Sequence, residues 1–207
     1  MKIYLVRHGE TAFNAEKKYL GQTDCPLTDN GIKQSQLVAE KLKKFNIDLI
    51  YFSPIKRAEQ TAQIINKYLE KPSFPLDHLV EWKMLPTRFE GMTASEIGEQ
   101  NIKLIKNDDD VIFDDAESFS SLIKRCRHLI DHLKTNHIND SILIVTHDNF
   151  CRALFGLIFH KESFSKSLMA DLIDNISLDH TGISLLEYSK TRLTNKEMLK
   201  LIFWNLT

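Results

Sequence analysis

No cysteine in this chain stands in CxxC spacing to another, and the three that occur, Cys25, Cys126 and Cys151, are odd in number. That argues against a disulfide framework and suits a reducing compartment. Net charge is nearly absent: 27 basic residues against 28 acidic ones leave −1, so the chain lacks the broad basic face that duplex nucleic acid requires. No apolar run is long enough for a secretion signal or a membrane span, because the opening Met-Lys-Ile-Tyr-Leu-Val meets Arg7 and His8 at once. Repeats, low-complexity tracts and linkers are missing as well. These absences lead to the expectation of a soluble, cytoplasmic protein that meets a small molecule, with no nucleic acid and no membrane as partner. A single domain over residues 1–207 is expected, burying roughly 70% of its unfolded surface. A homo-oligomer stays open.

What is present is concentrated first in Ile3 to Thr11. Ile3 to Val6 is too short for a helix and rich in β-branched and aromatic residues, so it reads as a strand buried on both faces, with Arg7 and His8 at its exit. Gly9 allows a tight turn and close approach to a bound group, and a guanidinium beside an imidazole makes a cationic cup suited to an anion.

Further along, Thr28 is placed to cap a helix whose apolar positions are Ile32, Val38, Ala39, Leu42 and Phe45. Ile47 to Phe52 reads as a second strand, ended by Ser53-Pro54, which starts a helix carrying Arg57 in its first turn. Pro72, Pro75 and Pro86 break the next stretch into an extended piece around Leu76 to Val80 and a loop ending at Glu90-Gly91. The acidic run Asp108 to Glu117 reads as a solvated loop that would repel large polyanions. A strong amphipathic helix follows, with Phe119, Leu122, Ile123, Cys126, Leu129, Ile130 and Leu133 on one stripe. Ile142 to Val145 is another apolar strand, leading into Thr146-His147 and a helix through about Phe159; a strand from Ile183 to Tyr188 and an apolar piece near Leu201 to Trp204 close the chain.

Alternating strands and helices predict an α/β fold, a three-layer α/β/α sandwich with a mostly parallel central sheet. Ligands of such sheets bind beyond the carboxyl ends of the strands. Arg7 and His8, Ser53 and Arg57, Glu81, and His147 all follow strands or extended pieces, so four separate segments would bring their polar groups to one edge. Two arginines, two histidines and a carboxylate suit phosphoryl transfer, where three equatorial oxygens must be neutralised. On this reading Arg7, Arg57 and a protonated His147 grip the phosphoryl group without a metal. His8 is the nucleophile, its other ring nitrogen donating to a backbone carbonyl, and Glu81 protonates the leaving oxygen and then activates water.

Arg7-His8-Gly9-Glu10-Thr11 with Asn14, Gly21 to Thr28, Ser53-Pro54 to Arg57-Ala58 with Gln60-Thr61-Ala62, Glu90-Gly91, Glu117-Ser118 and Val145-Thr146-His147 with Arg152 together resemble the phosphoglycerate-mutase-like branch of the histidine phosphatase superfamily. The resemblance implies His8 as the phosphorylated residue, Arg7, Arg57 and His147 as the phosphate pocket, and Glu81 as proton donor. It also implies Asn14 near the phosphate, Gly21, Gln22 and Thr23 on the substrate side, a three-layer fold, and no cofactor in phosphatase members. The sequence departs from the pattern in having Asp148 and Asn149 after His147 where glycine is common, and Ala116 where another glycine is common. The backbone N–H of Asp148 stays available to a phosphate, while its carboxylate would lower affinity or raise the pKa of His147. The loop from Glu81 to Glu90 is longer than the family's and lacks its glycine, which leaves Glu90 as the alternative acid.

Three functions follow from this reading: a metal-independent phosphatase acting on a small phosphorylated metabolite, a phosphoglycerate mutase, or a non-catalytic phosphate binder. The first is preferred, because the stretch after Glu81 lacks the Arg-His-Tyr-Gly of such mutases and the acid needed for hydrolysis is present. His128 and His132 have metal-ligand spacing on a helix but no evident third ligand, so they are expected on a solvated face. Phe13, Tyr19, Trp82, Met84 and Phe89 are available to make the outer pocket apolar.

Overall fold

The computed structural model describes residues 1–106, 114–190 and 197–207. Its strands are β1 (Lys2–Arg7), β2 (Leu49–Phe52), β3 (Ser73–Pro75), β4 (Ser141–Thr146), β5 (Ile183–Lys190) and β6 (Glu197–Leu206). The helices are α1 (Ala12–Ala15), α2 (Asp29–Leu42), α3 (Lys56–Leu69), α4 (Ala94–Ile97), α5 (Glu99–Lys106), α6 (Phe119–Asn136), α7 (Asp148–His160) and α8 (Lys166–Asn175).

The sheet order is β3-β2-β4-β1-β5-β6. β3, β2, β4 and β1 run parallel, whereas β5 is antiparallel to β1 and β6 to β5. The central sheet is therefore mixed, with an antiparallel hairpin on one side of the expected parallel set. β1 and β4 lie inside it with both faces covered, which is why each reads as an unbroken apolar run. Alternate residues serve opposite layers: Tyr4, Val6, Leu143 and Val145 pack with Val38, Leu42, Ala58 and Ile65 of α2 and α3. Ile3, Leu5, Ile142 and Ile144 pack with Leu122, Cys126, Leu129 and Leu133 of α6 and Phe150 and Leu154 of α7. Burying each of these larger side chains contributes about 1.5–3 kcal/mol and anchors the strands whose ends carry the site.

Thr28 caps α2 as expected, accepting the Gly31 N–H at 3.0 Å. Ile32, however, is exposed, and the buried stripe begins instead at Gly31 and Ser35. The reason is close approach: a Cβ on Gly9 would lie 2.6 Å from the Gly31 carbonyl oxygen, so only small residues fit where α2 meets the loop after β1. Gly9 thus serves close contact with a helix. The extended piece expected over Leu76–Val80 lies earlier, as β3, and Asp77–Leu79 form a 3₁₀ turn. In the acidic run, residues 108–113 lie outside the described residues. The carboxylates beyond them are paired rather than simply solvated: Asp114 with Arg88, Asp115 with Lys83 at 2.6 Å, and Glu117 with Arg125 at 2.7 Å. His132 and His137 flank the Tyr51 hydroxyl at 3.3 and 2.9 Å, and the His128 ring packs edge-on to His78. Among the described residues no helix is long and apolar enough to cross a membrane.

Candidate active site

Parallel β1, β2 and β4 end at a common rim, and the register that pairs Arg7 with Thr146 sets His8 beside His147. The two rings lie 5.2 Å apart, centroid to centroid. His8 is almost completely buried; its Nδ1 stands 2.8 Å from the Gly9 carbonyl, and an N–H must donate to that oxygen. The proton is therefore on Nδ1, and Nε2 keeps a lone pair, which accepts the Arg57 Nε–H at 3.1 Å. Burial first, and then Arg57 and Arg7, hold the His8 pKa well below the usual histidine range. His8 is neutral near pH 7.

Arg57 begins α3 and is 1% exposed. Its two terminal nitrogens donate to the carbonyls of Thr23 (3.0 Å) and Gly21 (2.8 Å), and burial lowers its pKa to about 10. Gly21, at φ +53°, turns the loop so that this carbonyl faces the guanidinium; a Cβ there would lie 2.1 Å from Glu90 Oε1. Glu90 accepts the Gln22 N–H at 2.9 Å and the Thr23 hydroxyl. It braces the 21–23 loop, with both carboxylate oxygens engaged.

Glu81 is 8% exposed and meets the first turn of α7. Its Oε1 accepts the N–H groups of Trp82 (2.7 Å) and Phe150 (3.1 Å), and Oε2 that of Asn149 (3.3 Å). These donors and Arg57 favour the anion, but burial outweighs them and Asp148 adds to it, so the pKa is raised. The influence of Asp148 thus falls on Glu81; the expected rise at His147 is overturned, because burial, Arg57 and His8 push that histidine well below its usual range. Asp148 is itself compensated by Arg152 at 2.6 Å and Arg7 at 3.4 Å. Burial and these charges therefore favour the neutral ring in the ligand-free protein, whereas the protonated ring was expected on a bound phosphoryl group. Its Nε2 is 2.8 Å from the Ser53 hydroxyl, while its buried Nδ1 has no partner. The Nε of Arg7 is likewise buried and unpaired.

Arg7, His8, Asn14, Gly21, Arg57, Glu81 and Asp148 share the wall of one cavity of about 150 Å³. Asn14 Oδ1 is taken by the Thr11 N–H and hydroxyl, so its amide N–H groups are the ones available to a ligand. Gln22 and Thr23 stand behind the wall: Gln22 donates to the Glu81 carbonyl at 2.7 Å and Thr23 supplies a carbonyl to Arg57. Both hold the groups that line the cavity rather than lining it.

Sequence reasoning missed Arg125 and His180. Arg125 grips Glu117 with two nitrogens (2.8 and 2.7 Å) and donates to the carbonyls of His78 and Val80, on the approach to Glu81. His180 packs 5.9 Å from His8, ring to ring, and burial with Arg7 lowers its pKa to about 4. It was findable only by knowing that β5 is antiparallel: the residues before such a strand, not after it, stand at the rim where β1 ends.

The model of the histidine phosphatase superfamily (branch 1) matches residues 3–199. The uncharacterized phosphatase PhoE of Bacillus subtilis (strain 168) is 35% identical over 152 residues, 73% of this chain and 74% of that protein. A metal-independent phosphoserine phosphatase of Arabidopsis thaliana is 31% identical over 183 residues, 83% of this chain and 74% of that one. The crystal structure of a phosphoserine phosphatase from Entamoeba histolytica in complex with 3-phosphoglyceric acid superposes with a TM-score of 0.80 at 29% identity, covering 100% of this chain and 97% of that chain.

Proposed function

The chain belongs to branch 1 of the histidine phosphatase superfamily, and on that premise we propose that it hydrolyses phosphomonoesters of a small metabolite through a phosphohistidine at His8, without a metal. The observation that carries this reading is the orientation of the His8 ring, whose Nδ1–H donates to the Gly9 carbonyl while the Nε2 lone pair faces Arg57. A neutral, oriented imidazole is a nucleophile, and the guanidinium beside it is a phosphate ligand.

In the first step His8 Nε2 forms a bond to phosphorus as the bond to the ester oxygen breaks, and Glu81 gives its proton to that oxygen. Arg57, released from the lone pair, donates to the phosphoryl oxygens together with Arg7 and the amide of Asn14. With Ser53 donating to its Nε2, a neutral His147 carries its proton on Nδ1 and adds a further donor, so no charged ring is needed. In the second step Glu81, now ionised, takes a proton from water, the hydroxyl bonds to phosphorus and the N–P bond breaks. Burial serves both steps by keeping Glu81 partly protonated closer to neutrality than an exposed carboxyl.

Rapid-quench trapping with a labelled phosphomonoester in EDTA tests this. The wild type should give an acid-labile phosphoenzyme and turn over. His8→Ala should give neither, with kcat lower by on the order of 10⁴ or more; label retained in that variant would refute the assignment.

A further inference from the structure

The cavity shared by His8 and Glu81 measures about 150 Å³, enough for a phosphoryl group and little of whatever is attached to it. A second cavity of about 300 Å³ adjoins it, and Lys18, Tyr19 and Met84 belong to the walls of both. Beyond that partition the walls are aliphatic: Leu85, Ile97 and Ile102 on one side, Ala170 and Ile173 of α8 on the other. We propose that this second cavity is the leaving-group subsite and selects phosphomonoesters of apolar alcohols, an inference that rests on the phosphatase reading above.

Three features support it. Tyr19 cannot swing, since its hydroxyl donates to the Leu85 carbonyl at 3.1 Å and accepts the Leu85 N–H at 3.0 Å. Met84 is the adaptable half of the partition: an unbranched thioether that changes rotamer at little cost, touched on its sulfur by the Asn149 amide at 3.8 Å. A substrate reaching from one cavity to the other would displace Met84 and keep Tyr19 as a fixed wall. The polar members of the second cavity are Lys17, which is exposed, Lys18, which pairs with Glu16 at 2.6 Å, and Asp174. Those three side chains apart, the aliphatic walls offer a sugar's hydroxyls no partners, and each hydroxyl buried against them would lose its bonds to water. The volume suits a body of roughly ten groups the size of a water molecule, about 30 Å³ each.

n-Alkylphosphonates from ethyl to octyl read the cavity independently of turnover, because their C–P bond is not hydrolysed. Calorimetric titration of the wild-type protein should show affinity rising about fourfold per methylene until the cavity is full. Ala94→Trp fills the cavity from an exposed position on α4, and Ala170→Leu fills it from α8. Either should flatten the series while leaving ethylphosphonate affinity unchanged. A flat series in the wild type, or a series that stays steep in both variants, overturns the subsite. Alkyl phosphates assayed in parallel separate the two claims. A steep binding series with no phosphate release keeps the subsite and removes the phosphatase reading. Release at a kcat/KM that ignores chain length, with flat binding, does the reverse.

Discussion

In the proposed mechanism Glu81 has the most demanding role, because one carboxyl must hold a proton in the first step and lose it in the second. Its surroundings pull both ways: three backbone N–H groups and Arg57 favour the anion, while burial raises the pKa. The acid form persists above the usual carboxylate range, so kcat on alkyl esters, whose leaving oxygen needs a proton, should fall as pH rises through that raised pKa. His8, held well below 6.5, sets the opposite limb at lower pH. Glu81→Gln should remove the alkaline limb and cost roughly 10²–10⁴ in kcat on alkyl phosphates, and much less on p-nitrophenyl phosphate, whose leaving group departs unprotonated. Glu90→Gln should instead raise KM, because Glu90 braces the loop that anchors Arg57. A lost alkaline limb in Glu90→Gln, retained in Glu81→Gln, would exchange the two roles. The sequence already pointed to Glu81, although the piece before it folds as a 3₁₀ turn and not as the extended segment expected. It could not show the α7 amides, because which helix N-terminus meets that carboxylate depends on β2 and β4 being neighbours.

Among the elements, the loop after α1 and the segment before Glu81 place the candidate catalytic groups, and each hangs on one polar clamp. Gly21→Ala adds a Cβ 2.1 Å from Glu90 Oε1 at a φ of +53°, so it should destabilise by roughly 1–2 kcal/mol and weaken phosphate binding through Arg57. Chemical denaturation and phosphate titration would measure the two effects separately. Arg125 of α6 acts on the other segment, tying Glu117 to the carbonyls of His78 and Val80. Arg125→Met leaves Glu117 unpaired where its side chain is 15% exposed and should cost about 3 kcal/mol. It should also lower kcat on alkyl phosphates more than it raises KM, since it displaces the proton donor and leaves the phosphate pocket in place. Equal kcat losses on alkyl and p-nitrophenyl esters would mean a purely structural role. The helix periodicity of α6 was plain in the sequence; its clamp was not, because Arg125 looks like any polar-face residue until α6 is laid beside the 3₁₀ turn at Asp77–Leu79.

For the molecule as a whole, burying neutral histidines at the rim links folding to pH. His8 and His147 are held well below 6.5, and His180 near 4, whereas all three titrate near 6.5 in the unfolded chain. Below pH 6.5 the unfolded chain therefore binds protons that the folded one refuses, and stability should be lost progressively as pH falls from about 6.5 toward 4 and below. Glu81 works in the opposite sense, adding stability in acid and losing it as pH rises through its raised pKa. Calorimetric Tm from pH 7 to pH 5 should fall, with a shallower slope in His180→Gln; an unchanged slope would show that this ring does not stay neutral on folding. Vanadate at a hundredfold its Kd should add about 2.7 kcal/mol of stability. The chain by itself determined the layered α/β plan and pointed to Arg7, His8, Arg57 and His147 as candidates, since hydrophobic periodicity and residues at strand exits are local properties written in order. Only the tertiary structure decided the antiparallel edge that brings in His180, the second cavity walled by α8, and the neutral state of His147. Each of these depends on distances between segments far apart in sequence and on how much water their packing removes.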